Sequence, residues 1–196
     1  MKVDSIVSFS QNKLKDYLEC QRRYELKYLL NQPWPAIQSE PVLENEKHLV
    51  LGQQFHLLAQ QYFSNVNEKI IYEQIKFSEL GSWWQSFLPF AKDFINTPHK
   101  AEMELVAQFN NCRLIGILDL LLIHPNQKFT IIDWKTNKKK LSKQYLQKHI
   151  QTRLYPLILQ KAGKFLNHNI EIEPHQIEMI YWFPEHPNSP ITFTYS

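Results

Sequence analysis

The stretch GILDLLLIHPNQKFTIIDWKT, residues 116–136, most limits what this chain can fold into. Two apolar runs flank the polar turn His-Pro-Asn-Gln-Lys, the pattern of two paired β-strands. Each run carries one carboxylate, Asp119 or Asp133, among residues that otherwise read as core. In a regular hairpin the position numbers of opposed residues have a constant sum. A turn centred near Asn126 makes that sum 252 and sets Asp119 opposite Asp133. Lys135 follows two residues later and leaves the same face as Asp133.

Two carboxylates close together in an apolar sheet repel one another, and burial adds a desolvation cost. A hard divalent cation relieves both. Mg²⁺ typically binds through one or two carboxylates and keeps positions for water or phosphate. A lysine beside such an ion can offset charge developing on phosphate. The D…D-x-K pattern alone therefore fits two readings: metal-assisted chemistry on a phosphate ester, or ordinary strand-end aspartates paired with Lys135 and Arg113.

Charge is distributed unevenly. The net charge of +3 conceals a segment, Trp134 to Ile170, with nine basic residues and no acidic one. The remaining chain holds 13 basic and 19 acidic residues, a net −6. A basic segment of this kind suits a polyanion. Lys138, Lys139, Lys140, Lys143, Lys148 and Arg153 are the candidates for binding such a polyanion's backbone, the alternative being a solvated helix face.

Around the hairpin the pattern is mixed. Helical spacing is expected over 10–30, with Ser10 as N-cap and Leu14, Tyr17, Leu18, Tyr24 and Tyr28 as a stripe. A proline-rich loop follows over 31–41. A second helix is expected over 44–64, with Leu51, Phe55, Leu58 and Tyr62 inward. One or two more helices span 68–96. Strands are expected over 101–109, 113–123 and 128–135, then a helix over 142–163 capped by Ser142, then strands over 175–183 and 190–195. The order gives one α/β domain over 1–196, mainly helical over 1–98 and sheet-containing over 99–196.

No apolar run matches a membrane span, and the N-terminus has no apolar signal core, so a cytoplasmic protein with no membrane partner is expected. Cys20 and Cys112 are too few for a disulfide framework or a four-thiolate metal site.

With these residues in place, the chain resembles the RecB-like, CRISPR-associated-exonuclease-like branch of the PD-(D/E)XK nuclease superfamily. An opening S-x-S-x-x-x-L-x-x-Y-x-x-C-x-x-R-Y pattern falls on Ser8, Ser10, Leu14, Tyr17, Cys20, Arg23 and Tyr24. G-x-x-x-H falls on Gly52 and His56, the first aspartate on Asp119, D-x-K on Asp133 and Lys135, and Q-x-x-x-Y on Gln151 and Tyr155. The resemblance implies a restriction-endonuclease-like core, a central mixed β-sheet flanked by helices. It implies a Mg²⁺- or Mn²⁺-dependent DNA nuclease acting on single- or double-stranded DNA. His56, Asp119, Asp133 and the main-chain carbonyl of Trp134 would hold the metal. Asp119, Asp133, Lys135, Gln151 and Tyr155 would form the catalytic set. Glu102 is a further, weaker match to a strand glutamate of the branch.

Two departures stand out. No cysteine follows Cys112, so the iron–sulfur cluster of some relatives is not expected, and Cys20 is expected in the core. Pro156 falls inside the expected helix over 142–163, where it should kink the helix and displace Gln151. The competing reading is a catalytically inactive nucleic-acid-binding module that keeps the nuclease fold.

Overall fold

A computed structural model describes residues 7–32 and 40–196, with side chains omitted over 40–45. Most of the loop expected over 31–41 lies outside the described residues.

A six-stranded mixed sheet organises the chain. Its axis is β3 (Cys112–Ile123), which pairs antiparallel along one whole edge with β2 (His99–Phe109). The opposite edge of β3 is shared. β1 (Val7–Ser10) runs parallel to residues 112–115, and β4 (Phe129–Trp134) runs antiparallel to residues 120–123. β1 and β4 therefore approach each other head to head along that edge. They leave a notch beside Gly116–Asp119. β5 (Ile177–Trp182) and β6 (Ile191–Thr194) extend the sheet beyond β4.

The hairpin register is the expected one: Leu120 opposes Ile132, and the ladder ends one residue short of Asp119 and Asp133. β4 is buried along its whole length. This explains its near-continuous apolar sequence, since a central strand is covered on both faces. β1 had no counterpart in the sequence reading.

The described residues also form seven α-helices: α1 (Gln11–Glu19), α2 (Gln21–Tyr24), α3 (Glu40–Phe63), α4 (Glu68–Gln74), α5 (Ser78–Lys92), α6 (Lys143–Lys148) and α7 (Ile150–Ala162). α3 and α5 cover one face. There Phe55 and Phe87 pack against Trp134 and Trp182, burying large aromatic surfaces edge to face and in parallel. The stripe expected on α3, Leu51, Phe55, Leu58 and Tyr62, is buried as read. α7 covers the other face, against Leu118, Ile131 and Met179.

The helix expected over 10–30 divides at Cys20, whose backbone is extended. Its phase is lost there, so Tyr24 is buried while Leu18 faces solvent. Cys20 itself is exposed, not in the core. Its Sγ caps α2 by accepting from the Arg23 amide, which keeps it at the surface.

The helix expected over 142–163 also divides, at His149 rather than at Pro156. α7 runs through Pro156, and Gln151 keeps its place beside Asp133. Proline removes the N–H that would bond the Thr152 carbonyl four residues earlier. The Tyr195 hydroxyl supplies a donor instead, 2.7 Å from that carbonyl. Tyr195→Phe is therefore expected to cost about 1–3 kcal/mol, the penalty of an unsatisfied buried acceptor. Urea denaturation checks this. The same substitution in a Pro156→Ala background, where the backbone N–H returns, is expected to cost less.

Candidate active site

The row of residues through the notch crosses three strands. Extending the ladders places Glu102 of β2 opposite Asp119 of β3, and Asp119 opposite Asp133 of β4. The sheet is distorted here. Ala101 and Leu120 pack toward α3 and α5, whereas their near neighbours Met103 and Leu118 pack toward α7. Both strands thus change face across the Glu102–Asp119 pair. Glu102 absorbs part of the change with φ +47°, a left-handed conformation that is uncommon for a non-glycine residue inside a strand. Strained backbone of this kind persists where surrounding structure enforces it, and it clusters at functional sites.

The change of face lets Asp119 reach in two directions. One oxygen lies 3.4 Å from His56 Nδ1 of α3, and the other accepts from the Trp134 amide at 2.8 Å. Glu102 lies 3.9 Å from the same His56 nitrogen. One donor atom from each of His56, Glu102 and Asp119 falls within 4.8 Å of the others. Burial opposes a charge on His56. The Asp119 and Glu102 carboxylates beside it outweigh that and push its pKa up to about 10.

Asp133 sits on the α7 side. It is almost fully buried, and its two oxygens go to different partners. One accepts from the Gln151 amide nitrogen, and the other lies 2.8 Å from Lys135 Nζ. Lys135 also donates to Gln151 Oε1 at 2.7 Å and lies over the Tyr181 ring. Burial pushes the Asp133 carboxyl up to about 6; Lys135 pulls it down, and Asp119 pushes it up again. Tyr155 lies against Gly116, where a Cβ would sit 3.3 Å from its ring, and its hydroxyl donates to Gln11 of α1 at 3.3 Å.

All of the expected catalytic residues thus line the notch, in two groups. His56, Asp119 and Glu102 form one. Asp133, Lys135 and Gln151 form the other, with Tyr155 beside it. Trp134 meets Asp119 through its N–H. The six candidate backbone-binding residues, Lys138, Lys139, Lys140, Lys143, Lys148 and Arg153, are exposed. Lys140 and Lys143 lie over the rings of Phe183 and Phe193.

A cleft of about 530 Å³ opens beside the His56 group, lined in part by His48, Gly52, Glu102 and Thr136. His48 contacts the Thr136 carbonyl through Nε2 and lies 3.4 Å from Glu79 through Nδ1. A Cβ at Gly52 would come within 2.7 Å of Thr136 Oγ1, so glycine lets α3 approach the segment that follows Lys135. Sequence reading missed His48. Its signal was available, because His48, Gly52 and His56 recur at i, i+4 and i+8 on one helical face.

The model of the PD-(D/E)XK nuclease superfamily matches residues 8–193. The chain belongs to this superfamily. Its mixed sheet flanked by helices is the restriction-endonuclease-like architecture expected of a member. A solved structure described as the crystal structure of SSO0001 is 14% identical and covers 76% of this chain and 77% of its own, with a TM-score of 0.33. That likeness is too distant to carry any inference. No curated protein matches. Among the described residues no helix is long and apolar enough to cross a membrane.

Proposed function

We propose that the chain is a metal-dependent deoxyribonuclease of the RecB-like branch. The observation that carries this reading is the convergence of His56, Glu102 and Asp119 donor atoms within 4.8 Å at a cleft, beside the Lys135–Asp133 pair.

The donor set fits a divalent cation. It offers two carboxylates and an imidazole, with Asp133 on the neighbouring strand, and hard cations prefer such oxygen donors. Mg²⁺ or Mn²⁺ would be held by His56, Asp119 and Glu102, with Asp133 and the Trp134 carbonyl as further donors. When bound, the ion supplies Lewis acidity at phosphate and lowers the pKa of water.

The chain's own residues do the rest. Asp133 and Gln151 occupy two of the three N–H donors of Lys135, leaving one for a phosphate oxygen. Gln151 holds Asp133 and Lys135 at once, which fixes the direction of that third donor. The lysines from Lys138 to Lys148, with Arg153, would track the backbone in a salt-sensitive way that does not depend on sequence.

The superfamily includes inactive members, and a non-cleaving nucleic-acid-binding module remains the second reading; the intact Asp119, Asp133 and Lys135 favour the nuclease. Cleavage of labelled single- and double-stranded DNA and RNA, with Mg²⁺, with Mn²⁺ and with EDTA, tests the proposal. Metal-dependent cutting of DNA is expected. Salt-sensitive binding with no cutting under any condition would support the binding module instead.

His56 sets the pH dependence of metal binding. Its folded pKa, about 10, lies above its ordinary value. Its charge therefore stabilises the fold fully below the unfolded value, near pH 6.5, and that contribution is lost as pH rises through 10. A metal must displace this proton, so apparent affinity is expected to climb about tenfold per pH unit over pH 7–9. Calorimetric titration with Mn²⁺ in buffers of different ionisation enthalpy measures both the slope and the proton released. An affinity independent of pH over this range would mean either that His56 is not a ligand or that it carries no proton for the metal to displace.

A further inference from the structure

A second groove lies on the α7 side of the notch, between α1 and α6. It encloses about 470 Å³. Its α6 wall is the ring of Tyr145, which is 52% exposed and sits 5.9 Å from the His149 ring. Its α1 wall carries Leu18, which is 65% exposed. Lys15 and Lys148 stand on its two sides. Glu19 also lines it, with its carboxylate held by Arg23 at 2.5 Å and 3.8 Å from Lys15 Nζ.

The groove adjoins the candidate active site. Gln11, part of its lining, accepts the Tyr155 hydroxyl. His149 lies two residues before Gln151. His149 lines the groove as well; burial lowers its pKa, and the charges of Lys135 and Lys15 lower it further. An aromatic wall, an aliphatic wall and flanking ammonium groups suit a flat apolar ring attached to an anionic chain. We infer that the groove takes an unpaired base of a single-stranded nucleic acid whose backbone crosses the site.

The placement of that strand rests on the nuclease reading. A paired base is stacked inside its duplex and cannot enter. Single strands bind by laying bases on exposed aromatic rings above a basic track, and this needs no particular sequence. The groove would therefore make the protein prefer single strands or frayed ends. Tyr145 supplies the platform, Leu18 closes the other side, and Lys15 and Lys148 meet the flanking phosphates.

The test is fluorescence anisotropy on the full chain in EDTA. The probes are a labelled oligothymidylate, the same strand with abasic sites, and a hairpin duplex. Tyr145→Ala is expected to weaken oligothymidylate binding by about 5- to 100-fold, the usual value of one stacked base. Tyr145→Phe is expected to bind like wild type, and duplex affinity to stay unchanged. The abasic strand should bind wild type and Tyr145→Ala equally. Thermal melting confirms that the variants fold, as the exposure of Tyr145 predicts. Equal weakening toward single strand and duplex, no weakening of either, or full-strength binding of the abasic strand would overturn the inference. The nuclease reading fails separately. Tyr145-dependent strand binding without metal-dependent cutting sinks that reading and leaves the groove standing. Cutting unaffected by Tyr145→Ala, with equal single-strand and duplex affinity, does the reverse.

Discussion

Lys135→Ala is expected to cut the rate of metal-dependent cleavage on the order of 10²- to 10³-fold, the usual cost of losing one donor aimed at developing charge. The same substitution should also destabilise the fold. Lys135 is the cationic partner of Asp133, a carboxylate that is 1% exposed. Removing one member of a buried pair strands the other, at about 3–5 kcal/mol. The two effects separate in Lys135→Ala/Asp133→Asn, which removes both charges. Stability is expected to return in the double variant, and cleavage is not. Denaturant midpoints and cleavage rates on the same preparations measure this. A Lys135→Ala protein with wild-type cleavage would show that the lysine has no part in the reaction.

Asp133→Asn alone is expected to abolish cleavage and to change how stability depends on pH. Burial holds the Asp133 carboxyl up to about pH 6, above its ordinary 3.8. For a carboxyl shifted this way, the protonated form favours the fold. That contribution is fully present below pH 3.8 and is lost as pH rises through 6. At pH 7 the ionised side chain therefore works against folding. Asparagine removes that charge and keeps an acceptor for Gln151, but it leaves the Lys135 ammonium without its partner, a loss that does not vary between pH 4 and pH 7; the stability of the variant relative to wild type is therefore expected to improve by about 1–3 kcal/mol from pH 4 to pH 7. Cleavage should be lost at every pH. Comparing the variant with wild type at each pH cancels the titration of all other carboxylates. A stability difference that does not change between pH 4 and pH 7 would contradict this account of Asp133.

What the sequence revealed depended on the range of the interaction. The hairpin could be read because strand alternation and one turn fix the register, so Asp119 and Asp133 were placed opposite each other by counting alone. The inward stripe of α3 could be read for the same kind of reason. β1 was missed because four residues give too short an alternation, and its partner, residues 112–115, lies a hundred positions away. The break at His149 was missed because residues on both sides remain in helical phase, while Pro156, the obvious breaker, is compensated by Tyr195. Glu102 was only weakly visible. Its approach to His56 depends on a left-handed backbone that no local pattern announces for a glutamate. Tyr181 lies beneath Lys135 because β5 pairs with β4, a parallel pairing across more than forty residues.

In the proposed nuclease, Asp119, shared between His56 and the Trp134 amide, would anchor the metal that drives cleavage of a nucleic acid backbone. The most direct measurement is cleavage of a labelled DNA strand by wild type and by Asp119→Asn, each with Mn²⁺ and with EDTA, after thermal melting shows both to be folded. The account predicts cutting by wild type with Mn²⁺ and none in the other three conditions. Cutting by Asp119→Asn at the wild-type rate, or cutting by wild type that EDTA does not stop, would contradict it.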